Sequence, residues 1–539
     1  MKKKLLKLLA LLLSAAMLAG CVSPDISNVT NALKEAISTE PVITFQAMEY
    51  TRPDMDHLEG TLTDAIQAAA EDDFPALIDL IYCFYDEYDA FYTNYNLADI
   101  HYCQDLTDIY WEEEYNYCAQ NSARVDAALE ELYYALADSP CRTQLETPKY
   151  FGEGFFQSYD GENNWDDVFV SLLNREAELQ SRYYELSNIG TDYIEGSEEY
   201  YAACGNEMAE LLVELIRVRQ EMAGYWGYDS YAQFATDFYH YRDYTVEQSE
   251  AYLKSVQQEL TALYRQVNRS GIWDSGFRPC SEADTYAYVE RMARNMGGMV
   301  EEAFDVMDRR ALYDISYGEN KYPSSFELYL TSYYVPFVFL SPSQSTYDYL
   351  TFAHEFGHFC NDYVSYGSYA GVDVLEFFSQ GLEYLSLCYG GDTEHLTKMK
   401  MADSLCLYVE QSAFASFELQ MYELTGDELT VDNLKALYER TALEFGFDSV
   451  GYDPREFVCI THFFTSPMYI ISYVVSNDAA MQLYQMEQAH PGDGKACYEV
   501  NLDTSEAYFL AFLESAGLES PFAPGRIQSV RATLENILG

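Results

Sequence analysis

Two of the eight histidines in this chain of 539 residues stand four apart, in His354-Glu355-Phe356-Gly357-His358. No other feature constrains the local fold as tightly. On a helix, residues i and i+4 lie one turn apart on the same face, so both imidazoles can reach a single ion. Zinc, one per chain, suits nitrogen and carboxylate ligands in a tetrahedral site. Glu355, beside the first histidine, points to one side of that ion, where it can act as general base on zinc-bound water. The flanks favour a helix as well: Ser345 can cap it, and Asp348 lies at the third position, where the helix dipole welcomes an acid.

A catalytic zinc needs a third protein ligand and one open position. The metzincin pattern would supply another His six residues after the second, but Val364 stands there, and Asn361 replaces the expected Gly. The third ligand is then a carboxylate on a later helix. In Leu375-Glu376-Phe377-Phe378-Ser379-Gln380-Gly381-Leu382-Glu383, both Glu376 and Glu383 share a face with Gln380, and spacing alone does not choose between the two acids. Asp362, one turn past His358, either orients that ligand or is a solvated surface acid, and the surface reading is the simpler.

The rest of the chain reads as mainly α with a small sheet. Leu129, Leu132 and Tyr133 mark one helix face within Val125–Leu136. Met208, Leu211, Leu212, Leu215, Val218 and Met222 mark another, ending before Gly224. Thr245 with Gln248 forms a capping box ahead of the stripe Leu253, Val256, Leu260, Leu263 and Val267. Asn268–Cys280 reads as a loop. Phe326–Leu340, dense in Tyr, Phe and Val, is the one strand region, and Pro336 predicts that it lies on an edge. From Ser345 helices resume to the C-terminus. The expected divisions are a leader at 1–21, a tether at 22–45, a helical N-terminal domain at 46–205 and a zinc-binding catalytic domain at 206–539.

With 88 acidic against 31 basic residues, the formal net charge is −57. Such a chain repels nucleic acid and anionic headgroups. The excess either keeps the surface solvated or draws cationic and neutral peptides into a cleft, and composition does not separate these. Lys2, Lys3, Lys4 and Lys7 precede an apolar run from Leu8 to Ala19, interrupted by Ser14. That run is shorter than the roughly 20 residues of a membrane span and fits a secretory signal. Leu18-Ala19-Gly20-Cys21 resembles a bacterial lipobox, which implies acylation of Cys21 and a lipid anchor at the extracytoplasmic face of the cell membrane. The other eleven cysteines include no CxxC pair, and no disulfide is predicted.

Taken together, His354-Glu355-Phe356-Gly357-His358 and Glu376-Phe377-Phe378-Ser379 resemble the thimet oligopeptidase and oligoendopeptidase F family of zinc peptidases. The resemblance continues at His462-Phe463-Phe464, through Met468-Tyr469 to Tyr473 and Asp478-Ala479-Ala480. Upstream it includes Gly224-Tyr225-Trp226-Gly227-Tyr228 and the Tyr244-Thr245 helix start, and in all it spans roughly residues 206–535. It implies Glu376 as the third ligand, and Tyr473, helped by His462 and Tyr469, as donors to a tetrahedral oxyanion. It also implies a two-lobed helical body around a deep substrate channel, with a small sheet beside the zinc helix whose edge pairs with extended substrate. Two departures stand out: His462 to Tyr473 is one residue longer than in oligoendopeptidase F, and Gly318-Glu319-Asn320-Lys321-Tyr322-Pro323 replaces a Gly-Lys and Gly-rich run. The expected activity is hydrolysis of internal bonds in short peptides. The rivals are a peptide-binding lipoprotein without catalysis and a metallo-exopeptidase.

Overall fold

Acidic caps organise the first part of the chain. In the computed structural model, which describes residues 43–539 except 72, 161–166, 191, 368–369, 392 and 505, three long helices follow Asp54, Asp73 and Asp108. Each of these carboxylates accepts a backbone N–H from the first turn behind it. The helices are α1 (Met55–Ala70), α2 (Phe74–Gln104) and α3 (Ile109–Ala137). They enclose a core that includes Leu58, Leu77, Ile81, Phe84, Val125 and Leu132 and reaches as far as Tyr159. Leu129, Leu132 and Tyr133 are buried in it, as their spacing predicts. Leader, Cys21 and tether up to residue 42 lie outside the described residues.

A second, larger core includes Phe45 and Met48, the far end of α2 at Leu97 and Ile100, and residues from Phe169 onward. One helix thus contributes to both cores. In the larger core, α4 (Asp167–Gly190) packs on α5 (Asn206–Tyr225). The latter keeps Gly224 within its last turn instead of stopping before it. Next comes α6 (Val246–Arg269), opened by the expected capping box: Thr245 Oγ1 accepts the Gln248 N–H at 3.2 Å, and Gln248 Oε1 accepts the Thr245 N–H at 2.9 Å. Within Asn268–Cys280, read as a loop, the first two residues extend α6 and Ile272–Ser275 form a single helical turn.

The strand region is two strands joined by a tight turn. They are β2 (Phe326–Leu330) and β3 (Val335–Phe339), paired antiparallel from Phe326↔Phe339 to Leu330↔Val335. The short β1 (Tyr313–Asp314) lies parallel to β3, giving the order β1-β3-β2. Pro336 therefore sits in the central strand, and the expectation of an edge strand is corrected. Val338 and Leu340 turn their N–H groups toward β1, to Leu312 O and Asp314 O. At Pro336 the same side lies ahead of the first β1 pair, at Val338, so the missing N–H removes no ladder bond. The edge is β2, where Tyr329 O already accepts from Asn96 Nδ2 of α2 at 2.9 Å.

Beside this sheet lie α7 (Tyr347–Ser365) and α8 (Val372–Tyr389), followed by α9 (Thr393–Met421), the five-residue α10 (Thr461–Thr465) and α11 (Ile470–Ala489). Helices α7 and α8 come into backbone contact. A Cβ placed on Gly357 would lie 2.5 Å from both Phe378 O and Ser379 Cα, so only hydrogen fits at that position. Behind them, α8 and α11 are joined by buried bonds from Ser476 Oγ to Asp373 O and from Tyr384 Oη to Asn477 Oδ1. Gly357→Ala should therefore force the helices apart and lower stability by about 1–3 kcal/mol, read by denaturant unfolding.

Candidate metal centre

The start of α7 is fixed more firmly than its sequence implies. The cap expected at Ser345 falls instead at Thr346, which makes no side-chain capping bond, and Ser345 Oγ, one residue earlier, accepts the Tyr347 N–H at 3.2 Å. Asp348 does more than complement a dipole. Buried at 3% exposure, it turns back to accept from Ser343 N and Oγ, at 2.8 and 2.6 Å, and from Ser345 N at 3.3 Å. The loop from β3 is thereby tied to the helix that carries the histidines.

With α7 held and Gly357 seated on α8, His354, His358 and Glu376 converge. One ligand atom from each lies within 4.8 Å of the others, and His354 Nε2 stands 3.6 Å from Glu376 Oε2. Two imidazoles and a carboxylate so grouped fit a tetrahedral zinc with one position left open. Glu383, the acid that spacing could not separate from Glu376, lies on the other side of the first ring. Its Oε1 is 2.8 Å from His354 Nδ1, and its Oε2 accepts from Lys400 Nζ of α9 at 2.6 Å. That bond fixes the imidazole tautomer and leaves Nε2 free for a metal.

Burial dominates the electrostatics. Desolvation, with the Glu376 and Glu383 charges adding and His354 opposing, raises Glu355 to about 7. Burial also disfavours a charged His354, but the hydrogen-bonded Glu383, with Glu355 and Glu376, carries it up to about 9. His358, buried beside that charge, falls to about 3. Glu383 is held down to about 2 against its own desolvation by Lys400 and His354.

Opposite the metal ligands stand the three residues expected as donors. His462 lies on α10, Tyr473 on α11, and Tyr469 immediately before α11. Tyr473 Oη is 3.2 Å from His462 Nε2, and Tyr469 Oη donates to Glu376 Oε1 at 3.1 Å. The two tyrosine rings are 5.2 Å apart between centroids. Burial, then the nearby Glu376 charge, pushes both phenols well above their ordinary range, so they remain hydrogen-bond donors. The turn between His462 and Tyr473 carries Met468 at φ 63°, a conformation costing a non-glycine residue about 1–2 kcal/mol. Every site residue expected from sequence is thus brought to one place.

Several neighbours were not foreseen. Lys400 carries only a faint signal, a lysine flanked by Met399 and Met401. Glu327 on β2 has a buried Oε1 without a hydrogen-bond partner, and burial, with Asp362 and Glu355 nearby, pushes its carboxyl well above the usual range. Asp362 is half-buried, not fully solvated, and its charge is felt at Glu327. All eleven cysteines among the described residues are free. No helix among those residues is long and apolar enough to cross a membrane. Because Lys400 and Glu383 are both buried, Lys400→Met should leave an underpaired carboxylate and cost about 3 kcal/mol or more in equilibrium unfolding.

Comparison with known proteins bears on the fold and on the N-terminal part. Residues 45–164 match the sequence profile of the Peptidase M3 N-terminal domain. The whole fold is similar to PZ peptidase A solved with an inhibitor, at TM-score 0.76 and 19% identity, covering 92% of this chain and 99% of that one. It is also similar to a Bacillus anthracis protein provisionally assigned as an oligoendopeptidase F, at TM-score 0.74 and 20% identity, covering 93% and 98%. A more distant likeness is to oligoendopeptidase-F from Enterococcus faecium, at TM-score 0.52 and 14% identity, covering 89% and 96%. No curated protein sequence matches the chain.

Proposed function

We propose that this protein is a zinc-dependent endopeptidase that cleaves internal bonds of short peptides outside the cytoplasm, held at the membrane by a lipid on Cys21. The observation that carries the reading is the convergence of His354, His358 and Glu376 within 4.8 Å, with Glu355 on the same helix. The Peptidase M3 profile match at residues 45–164 and the likeness in fold to oligopeptidases support it.

His354, His358 and Glu376 would hold the zinc, whose contribution is Lewis acidity toward a carbonyl and toward water. Glu355, buried on the same helix beside the two histidines, would take a proton from the attacking water and return it to the leaving amine. Glu383, backed by Lys400, keeps the His354 ring oriented. Tyr473 and Tyr469 present O–H groups on the side facing Glu376, where charge develops on the carbonyl oxygen, and His462 steadies Tyr473. The edge strand β2 beside α7, where not taken by Asn96 of α2, offers a place for extended substrate, and a deep channel between two lobes, as the family resemblance implies, would admit short unfolded peptides.

Protein lacking residues 1–21 should carry about one zinc per chain and cut a mixed peptide pool at internal bonds by mass spectrometry, losing activity on chelation. Glu355→Gln should keep its zinc while cleavage falls about 10²-fold or more. Zinc without any cleavage would favour a peptide-binding protein, and release of single terminal residues an exopeptidase. Tyr473→Phe should lower kcat about 10²-fold with little change in KM, measured on one cleaved peptide.

A further inference from the structure

The turn between α10 and α11 holds a strained residue that its own neighbours in sequence do not secure. Met468 is buried and left-handed, at φ 63°. On either side the N–H groups bond locally, Ser466 to His462 O and Tyr469 to Ser466 O. The Met468 N–H instead reaches across to Glu418 Oε1 of α9, at 2.7 Å. The carbonyls of the same stretch are also taken from elsewhere. Arg219 of α5 donates to Phe463 O and Phe464 O at 2.6 and 2.5 Å, and the His240 ring donates to Pro467 O at 2.9 Å.

These holders differ in kind. Arg219 is wholly buried and paired with Glu176 at 2.6 Å, so removing it leaves a buried charge behind and threatens the fold. Glu418, 1% exposed, has no ion pair among the described residues and spends a desolvated carboxyl on a single N–H. That N–H belongs to the residue just before Tyr469, and the turn it fixes is the one across which His462 and Tyr473 meet. Freed of Glu418, Met468 would leave a buried donor unpaired in a conformation already disfavoured, and the turn would relax.

We infer that Glu418 is a positioning residue for the His462–Tyr469–Tyr473 cluster, holding the left-handed turn at Met468 through one buried hydrogen bond. The inference rests on the proposed role of that cluster as donors to the reacting carbonyl. Its test compares Glu418→Met, of similar length but without the acceptor, with Glu418→Gln, whose amide oxygen can still accept. In crystals of Glu418→Met, Met468 should leave the left-handed region and Tyr473 Oη should move about 1 Å or more from His462, whereas Glu418→Gln keeps both. In solution, Glu418→Met should lose about tenfold or more in kcat with KM and zinc content unchanged, while Glu418→Gln stays within about threefold of wild type. An undisturbed turn in Glu418→Met, or equal impairment of the two variants, overturns the inference. If wild type cleaves no peptide, the proposed function falls, and the crystallographic comparison still decides whether Glu418 sets the turn.

Discussion

Between α7 and α8 the two backbones touch, at Gly357 against Phe378 and Ser379, with no room for a side chain between them. Most of the candidate centre depends on that approach. A helix pair at ordinary separation has its axes 8–10 Å apart, with side chains filling the gap. Here the gap is closed at the residue between the two histidines and their base on one side and Glu376 on the other. The carboxylate is thereby brought to 3.6 Å from His354 Nε2, and Glu383, two turns further on, reaches the back of the same ring. Glycine in the middle of a helix costs roughly 0.5–1 kcal/mol relative to alanine. In this helix that cost secures the convergence of His354, His358 and Glu376 from two elements.

Buried charges hold the surrounding helices in place. Lys400 with Glu383, Arg242 with Asp373, Arg219 with Glu176 and Arg526 with Asp478 all lie in the interior near the site or its supporting helices. Such pairs are weak evidence for stability, since desolvating both partners offsets much of their attraction. Their value here is directional. Lys400 fixes Glu383, Arg526 fixes Asp478, Arg242 donates to Ser472 Oγ, and Arg219 fixes Glu176 and the carbonyls that end α10. The acidic excess of the whole chain, by contrast, is largely a matter of its surface, and the interior pairs place nearly every buried cation against an acid.

Much of the candidate site could be read in the sequence because its decisive spacing is local. His354, Glu355 and His358 need only a helix to be placed, and capping at Thr245 follows from a residue three positions on. Pro336 shows where such reasoning stops. A missing N–H implies an edge only if a neighbouring strand would have used it, and whether β1 reaches that far is settled by packing at Leu312 and Asp314. Asp348 was seen as an acid in a first turn, while its bonds to Ser343 depend on the path of the preceding loop. Lys400, Glu418 and Glu327 gave almost no signal, since a lone charged residue on a helix or strand reads as solvent-facing until its neighbours in space are known.

The sequence by itself determined a mainly helical body, a pair of histidines spaced to share one ion with an acid beside the first, and two acids eligible to join them. It could do so because helical periodicity and a four-residue spacing are properties of one segment of chain. Tertiary structure decided which acid joins the two histidines in the candidate centre and which backs the first imidazole. It also decided that the turn at Met468 brings Tyr473 to His462. These outcomes depend on the distance between helices far apart in sequence, and that distance is set by backbone contact at Gly357 and by buried hydrogen bonds from α5 and α9, which no local pattern encodes.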